Sequence, residues 1–108
     1  MMSGTSYRPK PGPEVAEIEQ LSRKLHGSVT GADDFTFHSL AEHVEEVRGL
    51  LGEGDSHWKA ETIDIIIHAL VLLNRHRVTE AEIDELFVKR ADRFKEKIAA
   101  SLKEQPRG

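Results

Sequence analysis

Apolar residues recur at steps of three and four positions along most of the chain, a spacing that places them on one face of an α-helix. No segment shows the strict alternation of apolar and polar residues that indicates a half-buried strand. The segments with helical spacing cover about residues 13–26, 35–51, 56–73 and 79–102. The pattern therefore predicts an all-α fold.

Residues that cap or break helices set the predicted boundaries. The polar, glycine-containing stretch 28–34 is predicted to be a loop that precedes helix two. Asp55 or Ser56 is expected to cap helix three. Thr79 and Glu82 have the spacing of a capping box, which predicts that helix four begins there.

Composition narrows the domain organisation and the range of functions. Residues 1–12 contain Gly, Ser and Pro without periodicity, so we expect a disordered tail there and a helical domain over residues 13–104. The formal net charge of −4 comes from interspersed charges of both signs, which argues against binding to bulk nucleic acid. The absence of cysteine fits a reducing compartment, and we expect the cytoplasm. The apolar run 65–73 is too short to span a membrane.

Helix three carries a polar stripe within its most apolar stretch. Nine of the eleven residues from Ile63 to Leu73 are apolar, and the exceptions are Asp64 and His68. A helix that is apolar on its other faces is a buried one, and burial on this scale exceeds what a chain of this size offers alone. We therefore expect a homodimer or homotetramer, in which the acidic stripe meets another charged or metal-binding group.

Two pairs of carboxylates share the three-residue spacing that places side chains on one helix face. These are Glu42 with Glu45 on helix two and Glu61 with Asp64 on helix three. If the two helices face each other, four carboxylates converge, and a bound divalent cation removes their mutual repulsion. Carboxylate oxygens favour Mg²⁺, with Mn²⁺ as a second possibility. These four residues are the predicted metal ligands.

The motif E42-x-x-E45, a spacer of fifteen residues and E61-x-x-D64 resembles the signature of the all-α nucleotide pyrophosphohydrolases, which include MazG and phosphoribosyl-ATP pyrophosphohydrolase. The resemblance covers about residues 35–94. It implies a four-helix MazG-like domain, a helical dimer or tetramer, and magnesium held by the motif acids. It also implies cleavage between the α and β phosphates of a nucleoside triphosphate or phosphoribosyl-ATP, with release of pyrophosphate.

Candidate catalytic and substrate-binding residues surround this motif. Many relatives carry a glutamate directly before the first ligand, where this chain has Ala41, so the catalytic base is open. His38 lies four residues before Glu42 on the same helix face and is a candidate base or phosphate contact. Glu42 and Glu45 are the other candidate catalytic residues, because they would hold the metal. Candidate substrate-binding residues are Trp58, Lys89 and Arg93, since an indole can stack on a base and cations can bind phosphates.

Two other functions fit the same sequence. A catalytically silent helical module would keep the metal and the dimer while lacking the base at Ala41. A helical adaptor would use the acids only as solvated surface. Metal binding distinguishes the adaptor from the other two, and turnover distinguishes the enzyme from the silent module.

Overall fold

The computed structural model describes residues 10–104, and these residues form helices without any strand, as the apolar spacing predicts. The helices are α1 (Pro13–His26), α2 (Val29–Glu53), α3 (Trp58–Arg75) and α4 (Glu80–Glu104). Most of the predicted disordered tail lies outside the described range. Within that range, no helix combines the length and the apolar character needed to cross a membrane. The chain divides into two compact units, one with α1, α2 and α3 that ends at Val78, and another that contains α4.

Helix α2 begins at Val29, so the predicted loop over residues 28–34 is wrong. The side-chain oxygen of Ser28 caps the helix by accepting a hydrogen bond from the backbone N–H of Gly31 at 3.0 Å. A Cβ atom at Gly31 would lie 2.6 Å from the carbonyl oxygen of His26. The composition of this segment suggested a loop. Its polar and small residues instead form a tight corner between α1 and α2 and the first turns of α2.

The caps predicted for the last two helices are present in part. The Asp55 carboxylate accepts a hydrogen bond from the backbone N–H of His57 at 2.9 Å, just before α3. The hydroxyl of Thr79 accepts one from the backbone N–H of Glu82 at 3.1 Å, which is the first half of a capping box. Thr79 thus satisfies a backbone donor in the first turn of α4. The Asp55 bond precedes α3, whose N-cap residue is His57 without a side-chain cap, so the prediction that Asp55 or Ser56 caps this helix is wrong.

Helices α2 and α3 run antiparallel and face each other. Asp33 and Thr36 near the start of α2 contact residues 76 and 75 at the end of α3, whereas His43 further along α2 contacts Glu61 near the start of α3. The buried apolar cluster joins α1 to α3 and consists of Val15, Leu70 and Val71, with Ile66, Ile67 and Leu73 packed against it. The expected facing of helices two and three is therefore confirmed.

A buried arginine links all three helices of this unit. The side chain of Arg75 on α3 is 0% exposed, and its guanidinium donates hydrogen bonds to Glu19 on α1 at 3.3 Å and to Asp33 on α2 at 2.9 Å. It also donates to the hydroxyl groups of Thr36 and Ser22 at 3.1 and 3.4 Å. The charge of the guanidinium is thus matched by two carboxylates, as burial of an ion requires.

Two exposed basic side chains, Arg23 and His76, complete this network at its edge. Arg23 lies 2.8 Å from Glu19, and His76 lies 2.8 Å from Asp33. Burial raises the pKa of Asp33, but the hydrogen bonds from Arg75 and His76 outweigh it, so the pKa of Asp33 lies below its ordinary value. Asp33 is therefore ionised at neutral pH.

Helix α4 carries its apolar residues differently from the sequence-based expectation. The helical spacing of apolar residues in this segment predicts a stripe that faces a core. Ile83 is buried, but the other five residues of the stripe are exposed by 42% to 63% of their surface. These are Leu86, Phe87, Phe94, Ile98 and Leu102. The amphipathic pattern is present, yet within the single chain this stripe faces solvent.

Candidate metal centre between helices α2 and α3

Glu61 is the centre of the most chemically distinctive cluster in the described part of the chain. It lies in the first turn of α3 and is 8% exposed. The Nδ1 atom of His43 on α2 donates a hydrogen bond to Glu61 Oε1 at 2.6 Å. On the other side of the carboxylate, His57 Nε2 lies 3.3 Å from Glu61 Oε2. A buried carboxylate is thereby placed between two imidazoles.

The electrostatics of the cluster keep Glu61 ionised. The hydrogen bond from His43 lowers the pKa of Glu61 and outweighs burial, which raises it. The charges of His43 and His57 lower this pKa further. The pKa of Glu61 therefore lies below its ordinary value, and the side chain presents a carboxylate to any cation that approaches.

Glu46 brings a second carboxylate to the same place. It follows His43 by one helical turn, and its Oε1 lies 3.6 Å from His43 Nδ1. One nitrogen or oxygen from each of His43, Glu46 and Glu61 lies within 4.8 Å of the other two. Across residues 10–104 this is the one set of three such side chains close enough to share a metal ion.

A surface groove runs beside these ligand atoms. It has a volume of about 330 Å³ and opens to solvent, and its walls come from the last half of α2 and the start of α3. The lining residues are Glu46, Gly49, Leu50, Glu53, His57 and Glu61. A small molecule or hydrated ion can therefore reach Glu46, His57 and Glu61 without any rearrangement of the helices.

The structure brings only one of the four predicted metal ligands into this group. Glu42 is 63% exposed and lies 3.7 Å from His38, and Glu45 is 71% exposed and lies 3.5 Å from Arg48. Asp64 is half-buried on α3, one turn from His68. Glu61 alone of the four has its carboxylate within the group of three.

His43 and Glu46 are the residues that sequence reasoning missed. They repeat the three-residue spacing of Glu42 and Glu45, shifted by one position along the chain. One position turns a side chain by about 100° around an α-helix, which decides which pair faces α3. The buried residues of α2, including Ser39 one turn before His43, indicate the inward face. The side chain of His43 is only 20% exposed, which agrees with its place on this face.

His68 lies beside the cluster in a row of rings. Its ring centroid is 5.3 Å from that of His43 and 6.3 Å from that of Phe35, which in turn stacks on His26 at 4.3 Å. Burial lowers the pKa of His68, the charges of His43 and Arg75 lower it further, and Asp64 opposes them. The pKa of His68 therefore lies below its ordinary value, and the imidazole is neutral at pH 7.

The other candidate residues lie on exposed or half-exposed surface. His38 is 74% exposed beside Glu42. Trp58, the first residue of α3, is half-buried. On α4, Lys89 is 67% exposed and lies 3.0 Å from Glu85, and Arg93 is exposed. Their predicted roles in substrate binding and catalysis stay predictions.

Comparisons of the chain with models of known protein families, with curated proteins and with solved structures found no match. The resemblance to the nucleotide pyrophosphohydrolases therefore depends on the acidic motif and its surroundings in the sequence.

Proposed function

We propose that this chain is a metal-dependent nucleotide pyrophosphohydrolase, with its metal site at Glu61 between α2 and α3. The observation that carries the proposal is the position of a buried, ionised carboxylate beside a second carboxylate and two imidazoles, at the edge of an open groove. Isolated buried carboxylates are costly, and a divalent cation is a common reason for building such a group.

The residues of the cluster fit a divalent cation. Glu61, Glu46 and His43 each offer an atom with a free electron pair once the proton on the imidazole nitrogen is displaced. A divalent cation bound there would lower the pKa of a water and offset the negative charge of the substrate phosphates. Hydrolysis between the α and β phosphates of a nucleoside triphosphate or of phosphoribosyl-ATP is the reaction that the sequence motif supports.

The chain's own residues would position substrate around this centre. The groove gives a substrate access to Glu61 from the side of Glu53 and His57. Trp58 is the first residue of α3, the helix that carries Glu61. His57 is 63% exposed, so its ring can turn toward a ligand in the groove. His38 remains the base proposed from the sequence, because Ala41 lacks a side chain that could accept a proton.

The experiment is a pyrophosphate-release assay with Mg²⁺ and Mn²⁺ across the common nucleoside triphosphates and phosphoribosyl-ATP. We expect release by the wild type that disappears in Glu61→Gln and persists in Glu17→Gln, which changes an exposed acid on α1. A comparison of Glu45→Gln with Glu46→Gln then distinguishes two ligand sets. Loss of release in Glu45→Gln supports the set predicted from the sequence, and loss in Glu46→Gln supports the set that includes His43 and Glu46. Equal release by the wild type and Glu61→Gln would refute the proposal.

A silent metal-binding module of the same fold is the second candidate. Two observations favour it, since Ala41 occupies the place of the base and both Glu42 and Glu45 are largely exposed. This alternative predicts metal binding at Glu61 without pyrophosphate release from any substrate. Calorimetric titration beside the release assay distinguishes the two.

We also propose that the chain acts as a homodimer or homotetramer. The apolar stripe on α4 supports this, because its exposed fractions run from 42% for Phe87 to 63% for Leu102. On α1, Leu21 and Leu25 are exposed by 59% and 78%. Exposed apolar side chains of this number and size are typical of protein interfaces, and assembly would remove them from water.

A further inference from the structure

We propose that the cluster of His43, Glu46, His57 and Glu61 is selective for a divalent transition metal such as Co²⁺ or Zn²⁺ over Mg²⁺. The inference rests on the metal dependence in the proposed function, but it concerns which ion binds and through which atoms. The sequence motif, which contains only carboxylates, pointed to Mg²⁺. The cluster in the structure instead combines two carboxylates, Glu46 and Glu61, with two imidazoles, His43 and His57.

The ligand types decide the preference. Mg²⁺ is a hard ion that prefers oxygen ligands and dehydrates reluctantly, whereas imidazole nitrogen suits zinc, cobalt and related metals. His43 Nδ1 lies 2.6 Å from the Glu61 carboxylate and 3.6 Å from that of Glu46, so a cation shared by these carboxylates must also meet the imidazole. A site that includes an imidazole nitrogen among its ligands therefore disfavours Mg²⁺.

The separations between ligand atoms are those of a small coordination sphere. With bonds of about 2.0 Å, neighbouring ligand atoms lie roughly 3.3 Å apart around a tetrahedral ion and about 2.8 Å apart around an octahedral one. The three relevant separations are 2.6 Å and 3.6 Å from His43 Nδ1 and 3.3 Å between His57 Nε2 and Glu61 Oε2. The ligand atoms of His43, Glu46 and Glu61 all lie within 4.8 Å of one another, so changes in their side-chain torsions would bring them to one ion, and the exposed ring of His57 would turn to join them.

The helices hold the ligands in two matched pairs. His43 and Glu46 are three residues apart on α2, and His57 and Glu61 are four residues apart across the start of α3. Each spacing brings both side chains to one side of a helix. Glu61 is buried and His43 is mostly so, which limits their freedom, while the more exposed Glu46 and His57 can move to complete the sphere.

The test is a calorimetric titration of the full chain with Co²⁺, Mn²⁺ and Mg²⁺, followed by the visible absorption of bound Co²⁺. We expect one Co²⁺ per chain, bound at least about tenfold more tightly than Mg²⁺, with absorption bands of a nitrogen-ligated ion. His43→Gln should weaken Co²⁺ binding by about tenfold or more and shift these bands. The control His76→Gln changes an exposed histidine outside the cluster and should leave both unchanged.

The outcomes separate this inference from the proposed function. Equal affinity for Co²⁺ and Mg²⁺, no metal binding at all, or unchanged Co²⁺ bands in His43→Gln would overturn the inference. If His43→Gln does not fold, as circular dichroism would show, His57→Gln provides the same readout from an exposed position. Selective Co²⁺ binding without pyrophosphate release would support the inference and refute the enzyme, whereas release with Mg²⁺ and no preference for Co²⁺ would do the reverse.

Discussion

Removal of the Arg75 side chain tests whether the buried ion network holds the three-helix unit together. Its guanidinium is 0% exposed and contacts two carboxylates on two other helices, so Arg75→Met would leave Glu19 and Asp33 without their buried cation. Breaking a buried ion pair by removal of one partner costs about 3–5 kcal/mol. Methionine fills much of the volume, so the measured loss comes mainly from charge and hydrogen bonding.

The geometry places the expected effect in the lower half of that range. Glu19 keeps Arg23 at 2.8 Å, and Asp33 keeps His76 at 2.8 Å, so neither carboxylate is left wholly uncompensated. We expect a loss of about 3 kcal/mol in the free energy of unfolding. For a domain of this size, such a loss lowers the melting temperature by about 12 °C or more.

Urea unfolding followed by circular dichroism at one fixed protein concentration measures this loss. The matched control is Arg48→Met, since Arg48 is 76% exposed and lies 3.5 Å from an equally exposed Glu45. An exposed pair of this kind contributes about 0–1 kcal/mol. If Arg75→Met and Arg48→Met unfold at the same urea concentration, the network does not stabilise the fold and the reasoning fails.

Three further predictions follow from other parts of the structure. The pKa of Asp33 is lower in the folded chain than in the unfolded chain, so ionised Asp33 stabilises the fold fully at pH values above the ordinary carboxylate pKa of about 4. This stabilisation is lost as the pH falls from there through the lowered pKa of the folded state. Asp33→Asn should therefore flatten the acid side of the stability curve measured by urea unfolding, and an unchanged slope would contradict the role of its contacts with Arg75 and His76. Asp64→Asn should keep the fold and lower the pKa of His68 further, because Asp64 is the group that raises this pKa. Titration of the His68 ring by NMR measures the shift, and a rise would be evidence against their interaction. Phe94→Glu should shift sedimentation toward a single 12.1 kDa chain, with Phe94→Leu as the control, since Phe94 is 56% exposed in the apolar stripe of α4. A wild type that already sediments at 12.1 kDa would refute the dimer.

The helices were predictable because helix formation depends on neighbours in the sequence. Apolar steps of three and four residues indicated four helices, and Thr79 marked the start of the last one. The predicted start of α2 was wrong because Gly31 and its polar neighbours have the composition of a loop. In the structure, the missing side chain of Gly31 lets the start of α2 approach the carbonyl oxygen of His26. This contact depends on how the chain turns between α1 and α2, which the composition does not show.

The candidate site was predictable in part for the same reason. The sequence predicted Glu61 as one of four metal ligands, although Asp64 was the acid that stood out within the apolar run. The structure places Glu61 next to two histidines and near Glu46. The identity of those partners depended on the rotation of α2. A change of one position separates Glu42 and Glu45 from His43 and Glu46, and the sequence contains both pairs at the same spacing.

The sequence by itself determined the helical class and most of the approximate helix limits, and it included Glu61 among the predicted ligands, because local periodicity and the spacing of acids are both visible along the chain. The tertiary structure decided which faces meet. It selected His43 as the partner of Glu61, eighteen residues away, and Arg75 as the partner of Glu19, fifty-six residues away. Pairings over such distances follow from the rotation and antiparallel packing of whole helices, which no local pattern specifies.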